Sequence, residues 1–388
     1  MLAHRERTVA ARLPAGRRSS ATGSAPWFRV RLADRVPADV TRAAAPQYAA
    51  PVSERDEQIR VGVVGLGYWG PNLARNFAAI PGCELAWLCD ADEGALARLA
   101  PSFPGAHTTG ELAELLADDA LDAVVLATPV PTHAELAVAV AQAGKHCFVE
   151  KPLATNAADA QRAVEAAAQA GRTLMVGHLL EYHPAVARLK ELVDSGELGS
   201  LYYVYGNRLN LGKLRADENA LWSLGAHDVS VALHLIGEEP VECTAQGACY
   251  VREGVQDVVF CYLRFPSGIV AHLHLSWLDP HKERRITVVG AKRMATFDDM
   301  LIEGKLTIYD KGFDEDTRSW GEYIARSGDT ISPRIANVEP LRLECEHFVE
   351  CVRSGATPRS DGRSGLRVVR VLEALQRSLE RTQPAGGG

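Results

Sequence analysis

The chain changes its hydrophobic rhythm twice. Up to about residue 57 the apolar positions follow neither a period of two nor one of 3.6, and stretches such as Leu13-Pro14-Ala15-Gly16-Arg17-Arg18-Ser19-Ser20 are rich in Arg, Ala, Ser and Pro. Such a segment cannot bury enough apolar surface to offset its chain entropy, so residues 1–57 are predicted to be a disordered extension. It lacks the apolar centre of a secretory signal, and its six acidic residues argue against an organelle transit peptide.

From Ile59 the pattern turns regular. Val61-Gly62-Val63-Val64 reads as a buried strand, followed by a glycine turn and a helix from about Pro71 to Ala79 with Leu73, Phe77 and Ile80 at helical spacing. Leu85–Cys89, Ala123–Ala127, Cys147–Val149 and Thr173–Val176 read as further strands, interleaved with helical stretches such as His133–Gly144. Strands that are apolar on both faces and alternate with helices imply a parallel, doubly wound sheet over residues 58–180. After about Leu180 the period shortens. Between Ile269 and Trp277 the odd positions are apolar and the even ones mostly polar, the mark of a half-buried antiparallel strand. Leu201–Tyr205, Val258–Phe265 and Arg285–Val289 are also strand-like, and helices are predicted near Glu339–Val352 and Leu366–Leu379. Residues 181–382 are therefore expected to form an α+β domain with a mostly antiparallel sheet, which makes the whole an α/β chain of two folded domains.

Composition narrows the options little further. A length of 388 residues exceeds what one hydrophobic core serves, in keeping with two domains. No apolar run approaches the roughly 18 residues that cross a bilayer, so no membrane association is expected. The formal charge of −7 speaks against nucleic acid, though not against a small anion held by a few placed donors. The eight cysteines show no C-x-x-C pair, so they are read as buried free thiols of a reducing, cytoplasmic compartment and no metal site is expected.

Chemistry first shows at Gly65-Leu66-Gly67-Tyr68-Trp69-Gly70, a G-x-G-x-x-G string between a strand and a helix. Asp90 follows at the end of the next strand, 20 positions beyond Gly70, where a dinucleotide fingerprint places its acid. In a Rossmann unit Gly65 would allow the tight turn, Gly67 the approach of a pyrophosphate, and Gly70 close packing of helix on strand. Asp90 would accept from the adenine ribose. Asp90 and Asp92 with no Arg immediately after them favour NAD over NADP. Glu150-Lys151-Pro152 directly follows a buried strand, so Lys151 is placed at the carboxyl edge of the sheet, where ligands of open α/β folds lie.

These strings, with Ala127-Thr128-Pro129, His133, Gly225 and His227, resemble the glucose-fructose oxidoreductase / inositol dehydrogenase / rhizopine catabolism (Gfo/Idh/MocA) family over nearly all of Ile59–Leu379. Gly67–Asn72, Trp222–Asp228, Ile331-Ser332-Pro333 and Glu339–Phe348 resemble the branch that oxidises C3 of UDP-linked N-acetylated sugars. The resemblance implies an NAD-dependent oxidoreductase of a sugar CH–OH group, with Lys151 and His227 as catalytic pair. It implies cofactor contacts from Gly65, Gly67, Tyr68, Trp69, Gly70, Asp90, Thr128, Pro129, His133, Glu150 and Lys151. Sugar-nucleotide contacts are expected from Lys151, Arg208, Asn210 and His227. Many family members carry Asp four residues before the histidine; here Ser223 stands there, so either Lys151 or His227 could be the base, and adjacent Asp228 is expected to point elsewhere. Asn207, Lys213 and Arg215 extend the polar cluster around Arg208, and His178 and Tyr182 are candidates for the cleft wall. His272 and His274 share one strand face without a third ligand and are expected at a subunit contact of a homodimer or homotetramer built through this sheet. Alternatives are a 3-keto sugar reductase or inositol dehydrogenase of the same family, or an NAD-binding regulatory protein without turnover.

Overall fold

Six strands, apolar on both faces, build the first layer of the computed structural model, which describes residues 58–212, 214, 218–315 and 323–382. The extension at 1–57 and the positions Lys213 and Arg215 lie outside the described residues. In chain order the layer runs β1 (Ile59–Val64), α1 (Gly70–Ala78), β2 (Cys83–Cys89), α2 (Glu93–Leu99), β3 (His107–Thr109), α3 (Leu112–Leu116), β4 (Ala123–Leu126), α4 (Val130–Gln142), β5 (His146–Glu150), α5 (Ala157–Gln169) and β6 (Leu174–Gly177). All pairings are parallel in the order β3-β2-β1-β4-β5-β6. The order reverses between β1 and β4, which opens a crevice at the carboxyl edge of the sheet. Val61, Val63, Val124, Val125, Phe148 and Val149 are fully buried, which explains why these strands read as continuous apolar runs.

The second layer starts after α6 (Pro184–Asp194) with β7 (Leu201–Leu211), α7 (Ala226–Ile236), β8 (Glu242–Ala248), β9 (Val258–Arg264), β10 (Val270–Ser276), β11 (Leu278–Gly290), β12 (Met294–Asp298), β13 (Leu306–Glu315) and β14 (Tyr323–Ile331). Its order is β14-β13-β12-β11-β7-β10-β9-β8, antiparallel except where β10 runs parallel to β7. One face packs on α6 and α7 through Val204, Leu263, Leu273 and Val288, among others. The other presents Tyr203, Tyr205, Phe260, Tyr262 and His272 outward, and His274 stacks on Phe260 at 4.4 Å between ring centroids. The alternation read from Ile269 to Trp277 is the imprint of this half-covered sheet.

The last two helices return to the first layer. α8 (Pro340–Ser354) inserts Leu341, Cys345, Phe348 and Val349 into the core beneath α1. There Phe348 meets Phe77 and Phe148 edge-on, at 6.1 Å and 5.7 Å between centroids. α9 (Gly362–Thr382) packs against α5 and β8 and so touches both layers. Truncating fully buried Phe348 removes both ring contacts and leaves a cavity. Phe348→Ala is expected to cost about 3–5 kcal/mol of unfolding free energy, read from the urea midpoint, and Phe348→Leu distinctly less.

Candidate active site

At the switch point the chain leaves β1 through Gly65, whose φ of +91° suits glycine and whose added Cβ would lie 2.7 Å from the Ala127–Thr128 backbone. Gly70 opens α1 against the Gly65 carbonyl, where a Cβ would fall 1.9 Å from that oxygen. No side chain caps the amino end of α1; Pro71 has no N–H and those of Asn72 and Leu73 turn to the Trp69 carbonyl, so an anion would meet the helix dipole and the N–H groups of the glycine turn. Asp90 fastens the turn: Oδ2 accepts from Leu66 N at 2.5 Å and Oδ1 from Asp92 N at 2.8 Å. Asp92 in turn caps α2 by accepting from Gly94 N.

A cavity of about 1730 Å³ runs along this edge, lined by Gly65, Gly67, Tyr68, Trp69, Asp90, Thr128, Pro129, His133, Glu150 and Lys151. Tyr68, 90% exposed, stacks on Trp69 at the rim. Gly70 is absent from that lining and packs against the Gly65 carbonyl. His133 sets its ring between the carbonyl oxygens of Pro152 (2.9 Å from Nδ1) and Thr128 (2.8 Å from Nε2), tying together two loops of the edge. Burial lowers its pKa. Glu150 lies half-buried beside Gly177 of the neighbouring strand end and accepts from Lys151 N at 3.1 Å. Burial pushes its carboxyl up to about 7, against the pull of the Lys151 charge.

The reacting corner is assembled from both layers. Lys151 leaves β5 and its Nζ donates to the Ser223 carbonyl at 3.2 Å. Ser223 sits in a π-helical turn, Leu221–Gly225, that leads directly into α7, and His227 stands one turn later. Lys151 and His227 both line the cavity. Burial holds the His227 imidazole well below its ordinary pKa, helped by the charges of Lys151, Arg208 and Arg284. Its Nδ1 is buried without a protein hydrogen-bond partner. His178 follows β6 behind this corner rather than in the cavity wall, 1% exposed, with neither ring nitrogen partnered. Tyr182 is likewise absent from the wall; its hydroxyl lies 3.0 Å from Ser360 Oγ in the core.

The second-layer wall separates the members of the polar cluster. Asp228, adjacent to His227 but absent from the cavity lining, forms a buried ion pair with Arg208, because β7 and α7 bring the two face to face. Arg208 lines the cavity but commits Nε and Nη2 to that carboxylate. Asn207 lies on the opposite face of β7, as strand alternation requires, and donates to Glu283 at 2.8 Å. Asn210 lines the cavity with its Oδ1 buried and unpartnered.

Sequence reasoning missed a cationic wall made by Arg284, Lys305 and Arg334. Arg284 faces Arg208 across the β11–β7 register, on the same face as Ile286 and Val288, a pattern the alternation of β11 already carried. Lys305 and Arg334 lie in loops, where no period reports direction. Asp299 contacts Lys305 Nζ (3.2 Å), Arg284 Nη1 (3.5 Å) and His183 Nε2 (3.7 Å), one carboxylate among three basic groups. The segment 332–339, which carries Arg334, crosses from β14 to α8 and ends at Glu339, held by Arg75 at 2.6 Å.

Among known proteins, residues 59–178 match the oxidoreductase family described as NAD-binding Rossmann fold, and residues 186–296 match the GFO/IDH/MocA C-terminal domain. The chain belongs to the Gfo/Idh/MocA oxidoreductase family. It is 26% identical to scyllo-inositol 2-dehydrogenase (NAD(+)) of Bacillus subtilis over 321 residues, covering 78% of this chain and 89% of that protein. UDP-N-acetylglucosamine 3-dehydrogenase GnnA from Acidithiobacillus ferrooxidans superposes with a TM-score of 0.71 at 28% identity, over 83% of this chain and 98% of that one. GenD2 from gentamicin A biosynthesis, solved with NAD, superposes with a TM-score of 0.71 at 27% identity, over 86% of this chain and 98% of that one. The protein is thus an NAD-dependent oxidoreductase acting on a CH–OH group. The open glycine turn, the uncapped α1 terminus and Asp90 fit that cofactor.

The Glu150 shift has a measurable sign. Between about 4.5 and about 7 the unfolded chain ionises this carboxyl while the native state keeps it protonated, so native stability falls as pH rises through that window. Relative to Glu150→Gln, the wild-type protein is expected to lose urea-unfolding free energy across that window and to run parallel above it.

Proposed function

We propose that this protein oxidises the C3 hydroxyl of a UDP-linked N-acetylated sugar, with Lys151 and His227 at the reacting carbon. The carrying observation is the corner where Lys151 Nζ bonds the Ser223 carbonyl and His227 stands one turn further on, both facing the cavity. NAD, when bound, supplies the hydride acceptor. As hydride leaves the carbinol carbon, negative charge grows on its oxygen; Lys151, already presented as a donor, hydrogen-bonds that oxygen. His227, held neutral by burial and neighbouring cations, takes the hydroxyl proton on the nitrogen at the cavity.

Two features favour a nucleotide sugar over a neutral polyol. The cavity exceeds the roughly 300–1,000 Å³ usual for a single small ligand, in keeping with a dinucleotide plus a large second ligand. Arg284, Lys305 and Arg334 bring guanidinium and ammonium donors suited to a diphosphate to a wall they share with Asp299 and Glu303, and Asn210 Oδ1 offers an acceptor for a sugar hydroxyl or amide. The likeness to GnnA supports the same reading, and the likeness to the Bacillus subtilis enzyme supports inositol as the second one. The exposed aromatic face of the second sheet suits self-association as a homodimer or homotetramer.

Lys151→Ala and His227→Ala should each lower kcat at least ~10²-fold while NAD affinity by calorimetry stays near that of the wild type. Near-normal turnover in either would remove that residue from the reaction. NADH formation across UDP-sugars, dTDP-sugars, inositols and free sugars should be greatest with UDP-N-acetylated sugars; preference for an inositol would reverse the substrate assignment. Phe260→Glu combined with Tyr262→Glu should shift the sedimentation coefficient to that of a smaller species, and an unchanged value would place the subunit contact elsewhere.

A further inference from the structure

Three imidazole nitrogens lie buried and unpartnered behind the reacting corner: Nδ1 and Nε2 of His178, and Nδ1 of His227. Buried polar groups almost always find a hydrogen-bond partner, so three at one corner call for a shared explanation. The topology brings the two rings together. Glu150 and Gly177 are paired in register, so Lys151 and His178 leave adjacent strand ends at the same level. Lys151 then reaches Ser223, one helical turn before His227.

We propose that His178 is a positioning residue for His227: one ring nitrogen of His178 accepts, through one bridging water, the hydrogen bond of the His227 Nδ1–H. That bond fixes the tautomer of His227 whose Nε2 lone pair faces the cavity, the state required of a base. The inference rests on the reading of His227 as proton acceptor.

The surroundings leave few other acceptors. Among the described residues, the titratable groups acting on His227 are Lys151 at the end of β5, Arg208 on β7, Arg284 on β11 and His178 itself, none of them an anion. The nearby carboxylates are committed: Asp228 to Arg208, Asp299 to Arg284 and Lys305, and Glu150 to the Lys151 backbone. Position 223, one turn earlier, carries a serine. His178 is held to about 3 by burial and by the Lys151 charge, so it remains neutral and always keeps one acceptor nitrogen. A neutral acceptor orients the imidazole without favouring imidazolium as a carboxylate would, which keeps His227 available as a base on the acid side of neutrality.

The test is histidine ¹⁵N NMR on the full chain loaded with NAD, with His227→Gln used to assign the His227 signals. The wild type should show His227 neutral and in a single Nδ1–H tautomer from mildly acid to alkaline pH. In His178→Leu the tautomer should become mixed, and with a productive substrate from the panel kcat should fall ~10- to 100-fold at little-changed KM. His178→Gln, which keeps an amide acceptor, should retain the wild-type tautomer and restore most of the rate. A folded His178→Leu protein whose His227 keeps one tautomer overturns the proposal. So does a folded His178→Gln protein that loses it, which decides the matter should the leucine variant fail to fold. Because the spectra need no turnover, this outcome stands apart from the proposed oxidation, whose own failure would show as undiminished rates in His227→Ala.

Discussion

The hydrogen bond from Lys151 Nζ to the Ser223 carbonyl is the contact around which the site is organised. It joins the carboxyl edge of a parallel sheet to the turn that leads into α7 of the second layer. A side chain held only by its own loop would sample many rotamers. One anchored to a carbonyl on the opposite wall defines the distance between cofactor edge and helix, which is the distance a hydride transfer depends on.

Around that contact burial works against the charged forms of several interior groups. Burial raises Glu150 to about 7 and Glu181 to about 8, and drives Glu344, fully enclosed beneath α8, well above the carboxylate range. Burial also lowers His178 and His227. The charges left at the cavity are those with partners or with access to solvent: Arg208 on Asp228, Arg284 and Lys305 on Asp299, and exposed Arg334. Lys151 is thus the cation of the reacting corner, while the far wall sets Arg284, Lys305 and Arg334 among Asp299 and Glu303.

Much of this was legible in the sequence because periodicity and spacing report local geometry well. Val61–Val64 and Phe148 read as buried strands and are; the interval from Gly70 to Asp90 located the crevice; the alternation around His272 and His274 revealed a half-covered sheet. What escaped depends on partners distant in the chain. The partner of Asp228 was not legible because nothing in its own helix discloses that β7 delivers Arg208 to it. Asn207 looked like a companion of Arg208, yet adjacent strand residues face opposite ways. Lys305 and Arg334 sit in loops, and only the fold shows that both reach the same wall.

The clamp of Arg75 on Glu339 has a mechanical consequence. Arg75 lies on α1, the helix whose amino end faces the dinucleotide, and Glu339 terminates the segment that carries Arg334 over the far wall. At its other end the same segment is pinned where Ser332 Oγ donates to the Leu306 carbonyl. The eight residues 332–339 thus form a strap moored to both layers, which ties α1 to the segment that presents the guanidinium of Arg334 at the cavity.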